Sequence, residues 1–357
     1  QIVKITIEGT NDGPVAYDST ESTTENLILS SQVTDAFDVD GTIANYQLVS
    51  SVGKGHLDFN ANGSFDFDPQ NAFDHLKDGV QETVTFTYTA TDNSGTASEI
   101  QTVTITVTGQ NDAPHAVVGS LAETVQEDNI YSATGTLIAQ DVDDGATHTW
   151  RMVGLTDSEF GEISITTAGV WTYTLDNVAA QKLAEGETRT ETFAVEVDDG
   201  LGGTRQENIV ISIKGTNDLP EISGPDAGSV TEDIASDNQA SGQLMVSDDD
   251  VLDGHTWNLE GSPATNASPA SYQGLYGTIT LTASGLWEYT LDDTKVDFLA
   301  VNETRTETFD VLVDDGHSGQ DSTQIVITIN GSLAISRSFC VDVLTSVYLR
   351  LELITLF

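Results

Sequence analysis

The chain has 357 residues, of which 57 are acidic and 12 are basic, so its formal net charge is −45 at pH 7. Nucleic acid and anionic lipid surfaces are excluded as expected partners, because a chain of this charge repels polyanions. Its single cysteine rules out an intrachain disulfide, and because 38% of the residues are apolar and strand-length Val/Ile/Thr runs occur throughout, the acidity does not indicate disorder.

The chain opens on residues 1–8, which we interpret as the last strand of a truncated preceding module. Their sequence, Gln-Ile-Val-Lys-Ile-Thr-Ile-Glu, matches the alternating pattern of residues 101–108, 208–214 and 324–330. Each of those three stretches precedes the end of a module. We therefore expect the chain to be part of a longer protein.

A repeated motif divides the rest of the chain. Gly-Thr-Asn-Asp-Gly-Pro starts at residue 9, Gly-Gln-Asn-Asp-Ala-Pro at residue 109 and Gly-Thr-Asn-Asp-Leu-Pro at residue 215. Each copy follows an alternating apolar run and precedes an acidic segment, which is typical of a joint between tandem modules. The sequence therefore predicts modules one, two and three at residues 9–108, 109–214 and 215–331, followed by an anomalous tail at 332–357.

Period-2 alternation predicts an all-β fold with two facing sheets in each module, that is, tandem Ig-like β-sandwiches in a linear array. In module one Val84, Phe86 and Tyr88 share one strand face. Short helical turns are expected only at residues 70–79 and 178–183. In module two the predicted strands lie at residues 134–140, 147–153, 161–166, 170–175, 188–197 and 206–214.

Module three repeats module two closely. Both contain Gly-x-Trp-x-Tyr-x-Leu and Arg-Thr-Glu-Thr-Phe, and the added length of module three falls in an insertion at residues 261–277. Because the tryptophans recur in register, we expect them in the cores. For His148 and His255, which both precede Thr-Trp, the same equivalence favours packing or a turn over a zinc site. The tail has three open explanations, a shifted reading frame, a vector-derived end or a capping segment.

Acidic and asparagine residues recur at corresponding places in the modules: at the joints, early in the modules, after the second core strand and before the last strand. In a sandwich the last two loops and the entering joint lie at the same end. The candidate ligands are Asn11, Asp12, Asp38, Asp40 and Asp92; Asn111, Asp112, Glu127, Asp141, Asp143, Asp144, Asp198 and Asp199; and Asn217, Asp218, Glu232, Asp248, Asp250, Asp314 and Asp315.

Carboxylates confined to one small volume repel each other unless a cation balances them. Calcium takes about six to eight oxygen ligands with flexible geometry, whereas magnesium demands a tighter octahedron. The alternative is that these residues are ordinary hairpin turns, since Asp-Gly favours them. Recurrence in all three modules, beside the Asn-Asp joints, favours calcium sites.

These motifs resemble the tandem cadherin-like and VCBS-type repeats of giant RTX, type I-secreted bacterial surface adhesins. Module one is similar to the cadherin-like type and modules two and three to the VCBS type. The resemblance implies interdomain calcium ligands at each joint, while the glutamates that cadherins contribute from the preceding domain have no clear counterpart. The implied ligands are Asn111, Asp112, Asp141, Asp143 and Asp198 at one joint, and Asn217, Asp218, Asp248, Asp250 and Asp314 at the next.

The resemblance implies a non-enzymatic extracellular segment that extends or presents the binding parts of an adhesin in cell adhesion and biofilm formation. Neighbouring modules, and a glycan or protein on a target surface, are the expected partners of a monomeric chain. The sequence contains no signal peptide and no run of about 18 apolar residues, so we expect no membrane insertion by this segment. Two alternatives remain open: a direct glycan- or protein-binding module using aromatics near residues 272–276, and an accessory region of a secreted hydrolase.

Overall fold

The structure is a computed structural model that describes residues 1–261 and 269–333. It confirms the predicted all-β fold: the described residues form 25 strands, one short α-helix at Asn177–Ala180 and one 3-10 turn at Asp293–Lys295. The described residues divide into two compact units, residues 1–180 with 187–215, and residues 181–186 with the described residues from 216 onward. Among the described residues no helix combines the length and apolar character needed to cross a bilayer.

Module one is a sandwich of a four-stranded and a three-stranded sheet. The first sheet has the order β1-β7-β6-β3, with β1 parallel to β7, and the second has the order β2-β5-β4. The strands are β1 (Ser19–Thr24), β2 (Leu29–Gln32), β3 (Ile43–Ser50), β4 (His56–Phe59), β5 (Ser64–Asp68), β6 (Gln81–Asp92) and β7 (Gln101–Thr108).

Module two pairs two four-stranded sheets of orders β12-β13-β10-β8 and β11-β14-β15-β9. The six predicted strands correspond to β10 through β15, and β8 and β9 are additional. The strands are β8 (Ala116–Gly119), β9 (Ala122–Gln126), β10 (Ser132–Gln140), β11 (Thr149–Val153), β12 (Gly161–Ile165), β13 (Val170–Leu175), β14 (Thr188–Asp198) and β15 (Thr204–Lys214).

Module three has sheets of orders β17-β25-β24-β20 and β18-β23-β22-β21, with β16 paired to β19. Part of the predicted insertion, residues 262–268, lies outside the described residues, as do residues 334–357 of the tail. The strands are β16 (Glu221–Ser223), β17 (Ala227–Thr231), β18 (Gln239–Gln243), β19 (Met245–Ser247), β20 (Thr256–Leu259), β21 (Ala270–Gln273), β22 (Gly277–Leu281), β23 (Leu286–Leu291), β24 (Thr304–Asp314) and β25 (Gln320–Asn330).

Three local expectations fare differently. Residues 70–79 form turns rather than a helix, closed in part by the Leu76 amide donating to the Phe73 carbonyl at 2.8 Å. Residues 178–183 overlap the four-residue helix at Asn177–Ala180. The predicted strand at residues 1–8 lies outside any strand, and Ile2 in it is 99% exposed.

The tryptophans fill the cores as predicted, and a glycine on a neighbouring strand makes room for two of them. Trp171 and Trp287 are fully buried, Trp150 is buried, and Trp257 packs partly buried against the core of module three. Gly135 pairs with Trp171 in the β10–β13 register, and Gly242 pairs with Trp287 between β18 and β23. A Cβ at Gly242 would lie 2.7 Å from the indole ring of Trp287.

We therefore expect Gly242→Ala to destabilise module three by about 1–3 kcal/mol, the usual cost of overpacking a core. Gly254→Ala is the matched control, because a Cβ at Gly254 meets nothing within 4 Å. Urea unfolding followed by tryptophan fluorescence measures both variants. Equal midpoints for the two variants would contradict the role of Gly242 as the space that admits Trp287.

Candidate metal centre

The joint between modules one and two is held by three carboxylates that come from three different loops. The Gln110 amide donates to Glu25 Oε1 at 2.8 Å, just after β1. Asn111 Nδ2 donates to Asp199 Oδ2 at 2.8 Å, in the β14–β15 hairpin, and the Asp112 amide donates to Asp143 Oδ2 at 3.0 Å, in the β10–β11 loop. The sandwich thus brings the joint and both acidic loops to one end of module two.

Within the β10–β11 loop the carboxylates are held by further hydrogen bonds. The Asp143 amide donates to Asp141 Oδ1 at 3.1 Å, and His148 Nε2 lies 3.1 Å from Asp141 Oδ2. Module one also contacts this loop, since the Asp144 amide donates to the His75 carbonyl at 3.0 Å. The loop is therefore fixed from both modules.

Two buried oxygens in this cluster have no hydrogen-bond donor. Glu25 is 2% exposed and Asp143 is 6% exposed, and neither Glu25 Oε2 nor Asp143 Oδ1 has a partner. Buried polar atoms are normally satisfied, so these two oxygens are available to accept an ion or a water molecule. Hard oxygen donors with unused lone pairs are the donor set that calcium prefers. The residues present therefore fit a calcium ion.

The electrostatics agree with this fit. Burial raises the pKa of Glu25, Asp112 and Asp143. Neighbouring carboxylates raise these pKa values further, because each charge disfavours the next; Asp74 acts in this way on both Glu25 and Asp112. Burial also tends to raise the pKa of Asp199. Hydrogen bonds from Asn111 and from backbone amides outweigh this effect, so the pKa of Asp199 is lowered. A bound cation would relieve the repulsion among the first three groups.

Module three repeats this network at its own entry. Asn217 Nδ2 donates to Asp315 Oδ2 at 2.9 Å and the Asp218 amide donates to Asp250 Oδ2 at 2.8 Å. The Asp250 amide donates to Asp248 Oδ1 at 3.1 Å. Asp250 is 1% exposed, and its Oδ1 has no hydrogen-bond partner. The same geometry therefore forms in both compact units.

Module three adds a carboxylate that module two lacks. Asp253 stands where module two has Ala146, and one carboxylate oxygen from each of Asp248, Asp253 and Asp315 lies within 4.8 Å of the others. Among the described residues, this trio is the one group of at least three His, Cys, Asp or Glu side chains whose donor atoms lie this close together. His317 Nδ1 lies 3.0 Å from Asp253 Oδ2, so a cation here would share Asp253 with the imidazole.

The entry of module one has the same plan in a more exposed setting. Asn11 Nδ2 donates to Asp92 Oδ2 at 2.7 Å, and the Asp12 amide lies 3.3 Å from Asp40 Oδ1. The Asp40 amide donates to Asp38 Oδ1 at 3.1 Å.

Early glutamates occupy equivalent positions in the three modules. Glu232 is 3% exposed and accepts the Ser332 amide at 3.1 Å, as Glu25 accepts the Gln110 amide. Glu127 is fully buried at the corresponding position of module two. Burial raises the pKa of Glu232, and Asp233 raises it further.

Some predicted ligands take other roles. Asp198 Oδ1 accepts the Gly200 amide at 2.7 Å and Asp314 Oδ1 accepts the Gly316 amide at 2.8 Å, so both close hairpin turns. Their neighbours Asp199 and Asp315 contact the joint asparagines instead. Asp144 is exposed, and it contributes only the backbone amide that donates to the His75 carbonyl.

Sequence reasoning missed Glu25 and Asp74, and it placed Asp253 in the acidic segment of module three without counting it among the ligands. Glu25 is the glutamate from the preceding module for which the sequence offered no clear counterpart. Aligning the ends of β1, β9 and β17 would have found it, because Thr-Glu-Asn, Gln-Glu-Asp and Thr-Glu-Asp stand there in turn. Asp74 lies in a turn whose place in space the sequence does not reveal.

Comparison with known proteins agrees with the fold. The bacterial cadherin-like domain family matches residues 11–109, 111–215 and 217–331. The calcium-binding lectin RapA2 of Rhizobium johnstonii (strain DSM 114642 / LMG 32736 / 3841) is 26% identical over 185 residues, which cover 50% of this chain and 75% of that protein.

Solved structures share the fold. Protocadherin gamma B2 extracellular cadherin domains 1–5 match with a TM-score of 0.57 and 15% identity, over 90% of this chain and 61% of that chain. Mouse cadherin-23 domains EC22–24 match with a TM-score of 0.50 and 17% identity, over 90% of this chain and 99% of that chain. The chain belongs to the bacterial cadherin-like domain family, which it contains in three tandem copies.

Proposed function

We propose that this chain is a calcium-stiffened, non-enzymatic extender segment of a large extracellular bacterial adhesin. The observation that carries the proposal is the first joint, where buried carboxylate oxygens of Glu25 and Asp143 face no hydrogen-bond donor. The family and a relative named as a calcium-binding lectin support a role in adhesion. Transport by type I secretion and participation in biofilms belong to the same proposal.

The bound ion would supply the positive charge that the joint lacks. Module one would hold it through Glu25 and Asp74, and module two through the joint and its two acidic loops. The proposed ligands from the joint and module two are Asn111, Asp112, Asp141, Asp143 and Asp199. Without an ion, repulsion between the raised-pKa carboxylates opposes docking of the joint, so the chain bends there more easily.

Calcium removal is the first test. At free calcium 100-fold above the dissociation constant, one site adds about 2.7 kcal/mol of stability, so we expect a chelator to lower Tm by about 5 °C or more. Amide exchange at residues 110–113 should accelerate, while exchange in β15 stays slow until global unfolding. Magnesium at equal ionic strength is the control. Unchanged melting and unchanged exchange at the joint would contradict the proposal.

Glu25→Gln gives a second test, because its effect should change sign with calcium. In chelator the variant should melt at a higher temperature than the wild type, since it removes a buried charge that repels Asp112 and Asp143. With calcium it should bind at least about 10-fold more weakly, since a charged ligand is lost. Glu99→Gln, at an exposed position of module one, is the control. The same sign of effect in both conditions would refute the assignment.

Direct glycan binding is a second candidate function. The relative that carries the word lectin in its name supports it, and so does a partly exposed aromatic pair in module three. Phe298 is 59% exposed, and its ring centroid lies 6.5 Å from that of Tyr276. The guanidinium carbon of Arg305 lies 5.9 Å from the centroid of the Phe298 ring. Tyr272, in contrast, packs against the core and the ring of Phe309.

For this second function, Phe298→Ser should abolish binding on a glycan array while Tm stays within about 1 °C of the wild type, because exposed positions contribute little to stability. Val178→Ser, at an 86% exposed apolar position of module two, is the matched control. Equal array signals from wild type and Phe298→Ser would remove this surface as the glycan site.

A further inference from the structure

One histidine contact occurs in the β10–β11 loop of module two and again in the β19–β20 loop of module three. Packing does not explain it. His148 Nε2 lies 3.1 Å from Asp141 Oδ2, and His255 Nε2 lies 2.9 Å from Asp248 Oδ2. The side chains of Asp141 and Asp248 are 3% and 2% exposed, and those of the two histidines are 16% and 19% exposed. These are mostly buried contacts.

The other oxygen of each aspartate is engaged as well. Asp141 Oδ1 accepts the Asp143 amide and Asp248 Oδ1 accepts the Asp250 amide, both at 3.1 Å. One backbone donor and one imidazole donor therefore fix the plane of the carboxylate. Each oxygen keeps a second lone pair, which remains for a cation.

The chemistry assigns the direction of the histidine bond. An ionised carboxylate can only accept, so Nε2 carries the hydrogen and donates it. A histidine that donates through Nε2 cannot use that nitrogen as a metal ligand. The histidine instead contacts the aspartate in the way that residues outside a metal's coordination shell contact its ligands. Such residues orient the ligand and tune the affinity for the metal.

We propose that His148 and His255 are positioning residues that orient Asp141 and Asp248 for a cation without binding it themselves. This inference rests on the proposed calcium function. It also assigns a purpose to the His-Thr-Trp sequence in both modules: the histidine immediately precedes β11 or β20, while the tryptophan two residues later packs inward. The core strand thereby fixes the position of the imidazole relative to the aspartate of the loop.

Module one provides a natural comparison. His148 lies seven positions after Asp141 and His255 lies seven positions after Asp248, whereas the residue seven positions after Asp38 is Asn45. Asp38 Oδ2 and Asn45 Oδ1 are both buried and both lack a hydrogen-bond partner. Module one therefore has the acidic loop without an imidazole on its first aspartate, and we expect its site to be the weakest of the three.

The test compares two double variants of the full chain, His148→Leu with His255→Leu, and His148→Gln with His255→Gln. Leucine removes the donor, whereas the glutamine amide can still donate. Isothermal titration with calcium should show about 10- to 100-fold weaker binding at two sites for the leucine variant, and binding within about 3-fold of wild type for the glutamine variant. His56→Leu is the control, because His56 contacts the exposed Asp58 away from the loops.

A second readout needs no calcium. In the chelated wild type, imidazole nitrogen-proton NMR spectra should show the Nε2–H tautomer for His148 and His255; the opposite tautomer would overturn the proposal. Leucine variants that bind like wild type, or glutamine variants as weak as the leucine ones, would also overturn it, the latter by indicating direct ligation. If the leucine variant fails to fold, the glutamine variant and the tautomer still decide. Absence of calcium binding by wild type would refute the proposed function instead.

Discussion

Each joint confines several carboxylates in a small volume, and the chain must balance the repulsion between them. At the first joint Glu25, Asp112 and Asp143 are each more basic than usual, because burial and their mutual charge disfavour ionisation. Backbone amides of the joint satisfy one oxygen each of Glu25 and Asp143 and leave the other without a donor. The joint therefore gathers buried oxygen donors of the kind that calcium prefers.

The repeats show how one solution is reused with local changes. Asn111 meets Asp199 as Asn217 meets Asp315, and the amide of the next residue in each joint donates to the buried aspartate of the β10–β11 or β19–β20 loop. Module three then departs from the plan through Asp253 and His317. The sandwich itself accommodates these local changes without a change of fold.

The sequence predicted the sandwich modules because strand alternation and turn residues are local signals. It missed β9, since a short strand that pairs in parallel with β15 shows little alternation of its own. The ligands that it could not locate depend on tertiary structure. Asp74 lies in a turn, as its module-three counterpart Asp297 does, and only the fold brings these turns close enough to raise the pKa of Glu25 and Glu232. The family resemblance pointed to Asp198 at the first joint, whereas the hairpin geometry directs Asp198 to the turn and Asp199 to Asn111.

Crystals of the chain grown with calcium would test the central claim most directly. Anomalous difference maps at a long X-ray wavelength should show a peak within about 2.3–2.6 Å of Glu25 Oε2 and Asp143 Oδ1, the distance typical of calcium–oxygen bonds. Maps without a peak there, with those two oxygens hydrogen-bonded to ordered water, would contradict the account.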